Sequence, residues 1–501
     1  MFDQSIFERS RHLAGTDAPA HSGRLYAAAR ALLVAIPLLW SIAYFFPPLN
    51  HDVAALLQFA QRMLHGERLY VDLIDINPPM IFLLDTIPIG LAEAARLPTV
   101  ACEIGFVLAL AVLGLAASTA LLRRLGEGGR PLDGLLWPAL IGFALLVYPM
   151  HSFGQREHLL LIFALPYALV AAARADGAMV SRGVALATAL AALPGIALKP
   201  HFALVPLALE LLVLTRVGAR RWLASPQPWL ILAGLVAYVA MVRLWFPEYL
   251  TVVVPLAARN YEQLAPTHLL DLAIRGDQVP ALVVPLIPLA VIAWRLPAAR
   301  LSRAMVALTL AATGAGLLQG KGWDYQFLAA RGALVLTFGA VIADGFAQLS
   351  ATRPGLGSAT MQRAASVAIA AATVAGLFAF TGVLNPPFKG PRNFANTAAA
   401  HLLPIVEANA TGRPVLWLTT SIYPQFPVLN YTDSKLAMPF MSLWVLPAVY
   451  GPADLQTTPA GRTLAYHAPA AMGHAERMVW RGVIDGFTHD HPALVLVVPA
   501  S

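Results

Sequence analysis

"NHDVAALLQFAQRMLHGERLYVDLIDINPP", Asn50–Pro79, places four acids, Asp52, Glu67, Asp72 and Asp75, within 30 residues, directly after the apolar stretch Ala29–Pro47. A carboxylate at the edge of a hydrocarbon layer is costly unless it is paired or used. The rest of the chain decides whether this stretch borders a membrane.

The composition says that it does. The 501 residues are 58% hydrophobic and only 12% charged, against about 25% charged in a soluble domain. A spanning helix needs about 20 mostly apolar residues. Runs of that kind cover 29–47, 98–121, 133–151, 157–174, 183–198, 201–216, 228–246, 279–297, 303–319, 325–346 and 364–384. They are continuous and rich in Leu and Ala, unlike the alternating ~10-residue segments of a barrel. The expected class is a polytopic α-helical membrane protein with about 11 to 13 transmembrane helices. The segment Pro79–Ala94 is apolar but short, opens with Pro78-Pro79 and contains Asp85 and Pro88.

Charge sets the orientation. The net charge is +7, and cytoplasmic loops collect arginine. With a cytoplasmic tail (1–28: Arg9, Arg11, Arg24) and Pro79–Ala94 not crossing, the inner loops receive Arg123, Arg124, Arg130, Arg174, Arg182, Arg216, Arg220, Arg221, Arg295, Arg300, Arg303, Arg353 and Arg363. If that segment crossed, these arginines would fall outside. It is therefore expected to be re-entrant or interfacial. The bundle covers 29–384, its first outer loop is 48–97, and 385–501 lies outside. In that last part helix-like runs precede strands at Val415–Thr419 and Ala493–Val498, which predicts a small α/β domain. The whole reads as a multi-pass protein of a bacterial inner membrane with a periplasmic C-terminal domain.

There is no basic tract with interleaved aromatics, so nucleic acid is not an expected partner. The single cysteine, Cys102, can form no internal disulfide. GxGxxG, Walker and GxSxG motifs are absent, which argues against nucleotide hydrolysis and serine-hydrolase chemistry. His489 and His491 in "THDHP" lack a partner set with metal-site spacing.

On this topology the ionisable clusters gather on the outer face: Asp52, Asp72 and Asp75; Arg156, Glu157 and His158 in "SFGQREHLLL"; Lys199 and His201 in "ALKPHFAL"; Lys321, Asp324 and Tyr325 in "QGKGWDYQF". Each has a plainer reading. Asp52 would N-cap the helix Val53–Leu64. Glu157 would cap the next span and pair with Arg156. Lys199 would snorkel from a tight turn. "KGWD" would be an interfacial turn with an aromatic anchor, and "YVDLIDINPP" a turn closed by its Asp and Asn side chains. Tyr423, Phe426 and Tyr431 would stack a sugar or fill the core of the C-terminal domain. The gathering of all the clusters on one face is what points to a site.

The order of features resembles the GT-C glycosyltransferases: an acid just after the first span, an amphipathic helix, "LxxGxxxYxDxxxxNPP", an apolar hairpin, a second acidic loop, many spans and an outer domain. It is most similar to the branch of the lipid A aminoarabinose transferases and protein mannosyltransferases. The resemblance implies a polyprenyl-phosphate-linked sugar as donor and a lipid, glycan or protein as acceptor, handled among membrane lipids at the outer face. It implies Asp52 as catalytic base, Glu157 as the second acid, and Arg156, Lys199 and Lys321 as holders of the donor phosphate. His158, His201, Tyr70, Asp72, Asp75, Asn77 and Tyr325 are further substrate-contact candidates. The aminoarabinose transferases carry a lysine before the proline pair, where this chain has Asn77. No cofactor is expected; a divalent metal is used by oligosaccharide-transferring relatives and not expected with a monophosphate donor. The competing reading is a lipid or saccharide transporter or flippase, but paired broken helices and inverted repeats are not visible in the sequence.

Overall fold

A computed structural model describes residues 18–126, 129–261, 268–297, 299–352, 358–384, 391–450, 454–458 and 461–497. The apolar runs form helices: α1 (Ala18–Trp40), α2 (His51–Leu64), α3 (Met80–Ala95), α4 (Thr99–Arg124), α5 (Pro131–Gly142), α6 (Arg156–Ala175), α7 (Arg182–Ala197), α8 (Leu204–Val217), α9 (Pro226–Trp245), α10 (Gln278–Arg295), α11 (Arg300–Leu317), α12 (Leu328–Thr352) and α13 (Ala359–Phe380). Among the described residues, eight helical segments are long and apolar enough to cross a bilayer, with Pro131–Val147 and Arg182–Ala197 shorter. The chain is a multi-pass membrane protein.

Helix α6 is the axis of the bundle. It packs against α4, α7, α8, α11 and α12, and 94% of its apolar window is buried, against 17% for α9. Its sequence explains this: Leu and Ala occupy every side rather than one stripe, the mark of a helix enclosed by others. Helix α9 faces outward with Leu232, Val236 and Val239 exposed, as lipid contact requires.

Helix α3 has 16 residues, about 24 Å at 1.5 Å per residue, too short to span a ~30 Å core upright. Arg96 ends it in a left-handed conformation, and α3 returns against α2 and α4. The segment after α9 is coiled into helical and π-type turns from Tyr249 to Tyr261.

The C-terminal part contains α14 (Ala398–Ala410), the short α15 (Gln425–Tyr431) and α16 (His474–His489). Strands β1 (Pro414–Leu418), β2 (Lys435–Leu436) and β5 (Leu494–Val497) form a parallel sheet in the order β2-β1-β5. Strands β3 (Leu455–Thr458) and β4 (Gly461–Leu464) pair as an antiparallel hairpin. Both predicted strands are present to within a residue at the described ends. This α/β unit sits on α2. Gln58 donates to Ser434 O at 2.8 Å and accepts from Leu436 N, and Asn430 donates to Ala54 O at 2.9 Å. Arg62 donates to Met438 O at 3.0 Å and Ile74 N to Pro439 O at 2.7 Å. Helix α2 is thus buried between bundle and sheet, with Phe59 and Ala60 fully enclosed.

Candidate functional site

A cavity of about 540 Å³ opens where α2, the start of α6 and the α/β unit meet, lined in part by His51, Asp52, Asp75, Asn77, Arg156 and Tyr325. Local sequence places the first acid there. The N-cap of α2 is Asn50, whose Oδ1 accepts from the backbone N–H groups of Asp52 and Val53 at 2.9 and 3.3 Å. Asp52 is therefore in the first helical turn, where a carboxylate is favoured by the helix dipole, and its side chain is not spent on capping. The capping reading of Asp52 is corrected by the residue two places before it.

Gln155 fixes that carboxylate. Its Nε2 donates to Asp52 Oδ2 at 2.7 Å and to Asn50 Oδ1 at 3.0 Å. Asn50 in turn donates to His151 O at 2.9 Å, so the first and second loops are tied through one side chain. Arg156 Nη2 stands 3.7 Å from Asp52 Oδ2; the guanidinium also donates to Asn77 Oδ1 and to Gln155 Oε1. Asp52 Oδ1 has no hydrogen-bond partner among the described residues, and Asp52 lines the cavity.

The second acid has a different partner from the one expected. Glu157 pairs with Lys199, not with Arg156: Lys199 Nζ donates to Glu157 Oε1 and to Gln319 Oε1, both at 2.6 Å. Successive helical residues point about 100° apart, so adjacent Arg156 and Glu157 leave α6 in different directions and meet different partners. Glu157 is fully buried. Lys199 lies between the apolar segments 182–197 and 200–217; burial lowers its pKa to about 8, Glu157 opposing and Arg156 adding to the shift. The two cations flank one ring: Arg156 Cζ and Lys199 Nζ lie 6.0 and 5.4 Å from the Tyr325 centroid.

The tip of the first loop supplies a third acid. Asp75 Oδ1 accepts from Asn77 N and Nδ2 at 2.8 and 2.7 Å, the turn expected before Pro78-Pro79, while its carboxyl group lines the cavity. Burial raises the Asp75 pKa, and Asn77 and Arg156 work against that rise. Tyr70 shapes this loop: it takes a positive φ of 71°, its hydroxyl donates to Asn77 O at 2.6 Å, and its ring rests 4.9 Å from that of Tyr249.

Glu157 and Lys199 sit behind Tyr325 and do not line the cavity, and the remaining candidates also stand apart from it. Asp72 is held by Arg68 on an exposed turn. His158 is buried inside the bundle, its Nδ1 accepting from Gly154 N and its Nε2 facing Leu145 O at 2.8 Å. His201 packs edge-on to Phe202 and does not line the cavity. Lys321 donates to Tyr261 O at 2.8 Å and lies 5.0 Å from that ring's centroid; it steadies Tyr261, which does line the cavity. Phe426 is enclosed in the α/β core, Tyr431 accepts from Leu49 N at 2.7 Å, and the Tyr423 ring faces His51.

The sequence reading does not single out Gln155, Gln319, Tyr261 or Trp444, and it gives Trp323 only as the aromatic anchor of "KGWD". Gln155 and Gln319 each neighbour a singled-out cluster, a signal available in the sequence. Trp444 comes from the α/β unit and closes the cavity wall with Thr420, Ser421 and Ile422. Among the described residues no three His, Cys, Asp or Glu side chains are grouped to hold a metal ion.

ArnT from Cupriavidus metallidurans bound to undecaprenyl phosphate superposes with a TM-score of 0.55 at 15% identity, over 81% of this chain and 85% of that one. The fold is ArnT-like. The apo state of the same protein gives 0.53 at 16% identity, over 83% and 86%. The likeness covers most of the chain, and it falls on the branch that the first-loop motif resembles. At this identity it is a likeness of fold. No protein-family model and no curated protein matches the chain.

Proposed function

We propose that this chain is a membrane glycosyltransferase that moves a sugar from a polyprenyl-phosphate donor to a hydroxyl-bearing lipid, glycan or protein acceptor. The observation that carries the reading is Asp52: a cavity-lining carboxylate with one oxygen held by Gln155, the other without a hydrogen bond among the described residues, and a guanidinium 3.7 Å away. The ArnT-like fold, with undecaprenyl phosphate bound in one of its solved structures, supports the donor class.

The chemistry follows from these groups. The acceptor hydroxyl gives its proton to Asp52 as its oxygen attacks the anomeric carbon, and general-base help of this kind is worth about 10²–10⁴-fold. The bond from that carbon to the phosphate oxygen breaks on the opposite side, so the product is inverted. Charge gathers on the departing phosphate, and fixed cations offset it without reorganising. Arg156 offers a two-pronged donor and Lys199 a point charge; Tyr325 between them keeps both near the cavity. Asp75 and Asn77 offer a carboxylate and an amide to sugar hydroxyls.

The charge pattern supports an orientation: arginines at the Arg174, Arg182 and Arg221 end on the cytoplasmic side, the cavity and α/β unit outside the cytoplasmic membrane. The deciding experiment uses the full chain in liposomes with a panel of labelled polyprenyl-phosphate sugars, comparing native protein with Asp52→Asn. Transfer by the native protein that disappears in a folded variant is the expected result. Undiminished transfer by the variant removes Asp52 from the mechanism, and silence of the native protein across the panel removes the donor class.

A further inference from the structure

A second cavity, of about 460 Å³, lies at the far end of α6. Helix α6 has 20 residues, about 30 Å from end to end, so this cavity is separate from the candidate site. It sits where α6 and α8 end and α7 and α9 begin. Three arginines line it, Arg174, Arg182 and Arg221, with apolar walls that include Val213 and Val217, and no acid lines it.

The three arginines are in different states. Arg174 is buried and its charge is matched: Nη1 donates to Glu210 Oε1 at 2.6 Å and Gln227 Oε1 at 2.7 Å, and Nη2 to Glu210 Oε2 at 3.1 Å. Glu210 also accepts from Tyr167 at 2.6 Å and Trp222 at 2.8 Å. This network fixes the floor. Arg182 and Arg221 stand exposed at the rim, with no ion pair among the described residues. Arg221 lies over Gly177, whose added Cβ would come 3.7 Å from Nη1. The positive N-terminal ends of α7 and α9 and the negative C-terminal ends of α6 and α8 meet at this space and offset one another, so the arginines set its charge. At the lip, Met179 is 100% exposed, an apolar side chain suited to hydrocarbon rather than water.

A rim with two uncompensated guanidinium groups above apolar walls, at the end of a membrane bundle, fits a headgroup that carries phosphate and trails acyl chains. Basic pockets between spanning helices on the cytoplasmic side bind such headgroups. We infer that this cavity is a binding site for the phosphate of an anionic phospholipid, held by Arg182 and Arg221. The inference is independent of the transfer chemistry; the proposed orientation names the leaflet only.

The test titrates the detergent-purified full chain with phosphatidylglycerol and reads bound lipid by native mass spectrometry. Native protein is expected to bind saturably and to prefer phosphatidylglycerol to phosphatidylcholine. The double variant Arg182→Ala/Arg221→Ala is expected to bind about thirtyfold more weakly, two headgroup contacts at roughly 1 kcal/mol each. Arg220→Ala, exposed on the same short helix as Arg221 but outside the lining, is expected to change affinity by less than about twofold. Unchanged binding in the double variant, an equal loss in Arg220→Ala, or equal affinity for phosphatidylcholine would overturn the proposal. Inorganic phosphate alone, raising the melting temperature as far as the lipid does, would assign the site to a soluble phosphate and overturn the lipid. Because both rim arginines are exposed, the variants keep the fold, which gel filtration and circular dichroism verify.

Discussion

The two ends of α6 each carry a buried arginine, and the two are used differently. Arg174 divides its donors between Glu210 and Gln227 at 2.6–3.1 Å, inside a network that Tyr167 and Trp222 complete. Arg156 is equally buried, yet among the described residues its nearest carboxylate is 3.7 Å away and its Nε has no partner. One end spends its charge internally; the other keeps hydrogen-bonding capacity beside a cavity. Buried polar groups are normally satisfied, so incomplete satisfaction marks the working end better than burial does.

The largest effect should come from removing the proton acceptor at the working end. Asp52→Asn is expected to lower kcat by about 10³-fold with unchanged thermal unfolding, measured by transfer assay and calorimetry on one preparation. The opposite end should answer in stability. Arg174→Leu strands Glu210 and is expected to cost about 3–5 kcal/mol, read by denaturation in detergent, whereas Arg156→Leu should cost about 1–2 kcal/mol while abolishing transfer. Equal stability losses would dissolve the contrast.

A subtler difference is in pH. Lys199, with its pKa lowered to about 8 by burial, is charged below that value and neutral above it. The kcat/KM of native protein, which reports free-enzyme groups, should therefore fall above pH about 8, approaching tenfold per unit, while Lys199→Arg stays flat over the same range. The smallest effect is expected at the wall given by the α/β unit: Trp444→Ala should raise KM about threefold to tenfold and leave kcat nearly unchanged.

Much of this architecture is written in the sequence, because span length and strand alternation are local properties. The runs 29–47 to 364–384 and the strands near 415 and 494 needed only composition and periodicity. Asp52 was also legible, as an acid directly after the first span. The pairing was not. Whether Glu157 meets Arg156 or Lys199 depends on how α6 turns against α7 and α8, which no local pattern records. Asn50 rather than Asp52 as the cap of α2 is a choice between two good capping residues two positions apart. Tyr261 reaches the cavity only because the stretch after Pro247 coils instead of looping, and Trp444 arrives from a unit almost 400 residues further along the chain than Asp52.

Gln58 and Ser434, bonded where α2 meets the α/β unit, are 376 positions apart. The acid that enters the membrane with the first hairpin waits for its second wall until nearly the whole polypeptide has been synthesised. Closing so long a loop delays the final structure, and a chain cut short before Thr420 would insert its helices and still have only half a pocket. Translation itself thus acts as a safeguard: the two-walled cavity forms only once the α/β unit has been made.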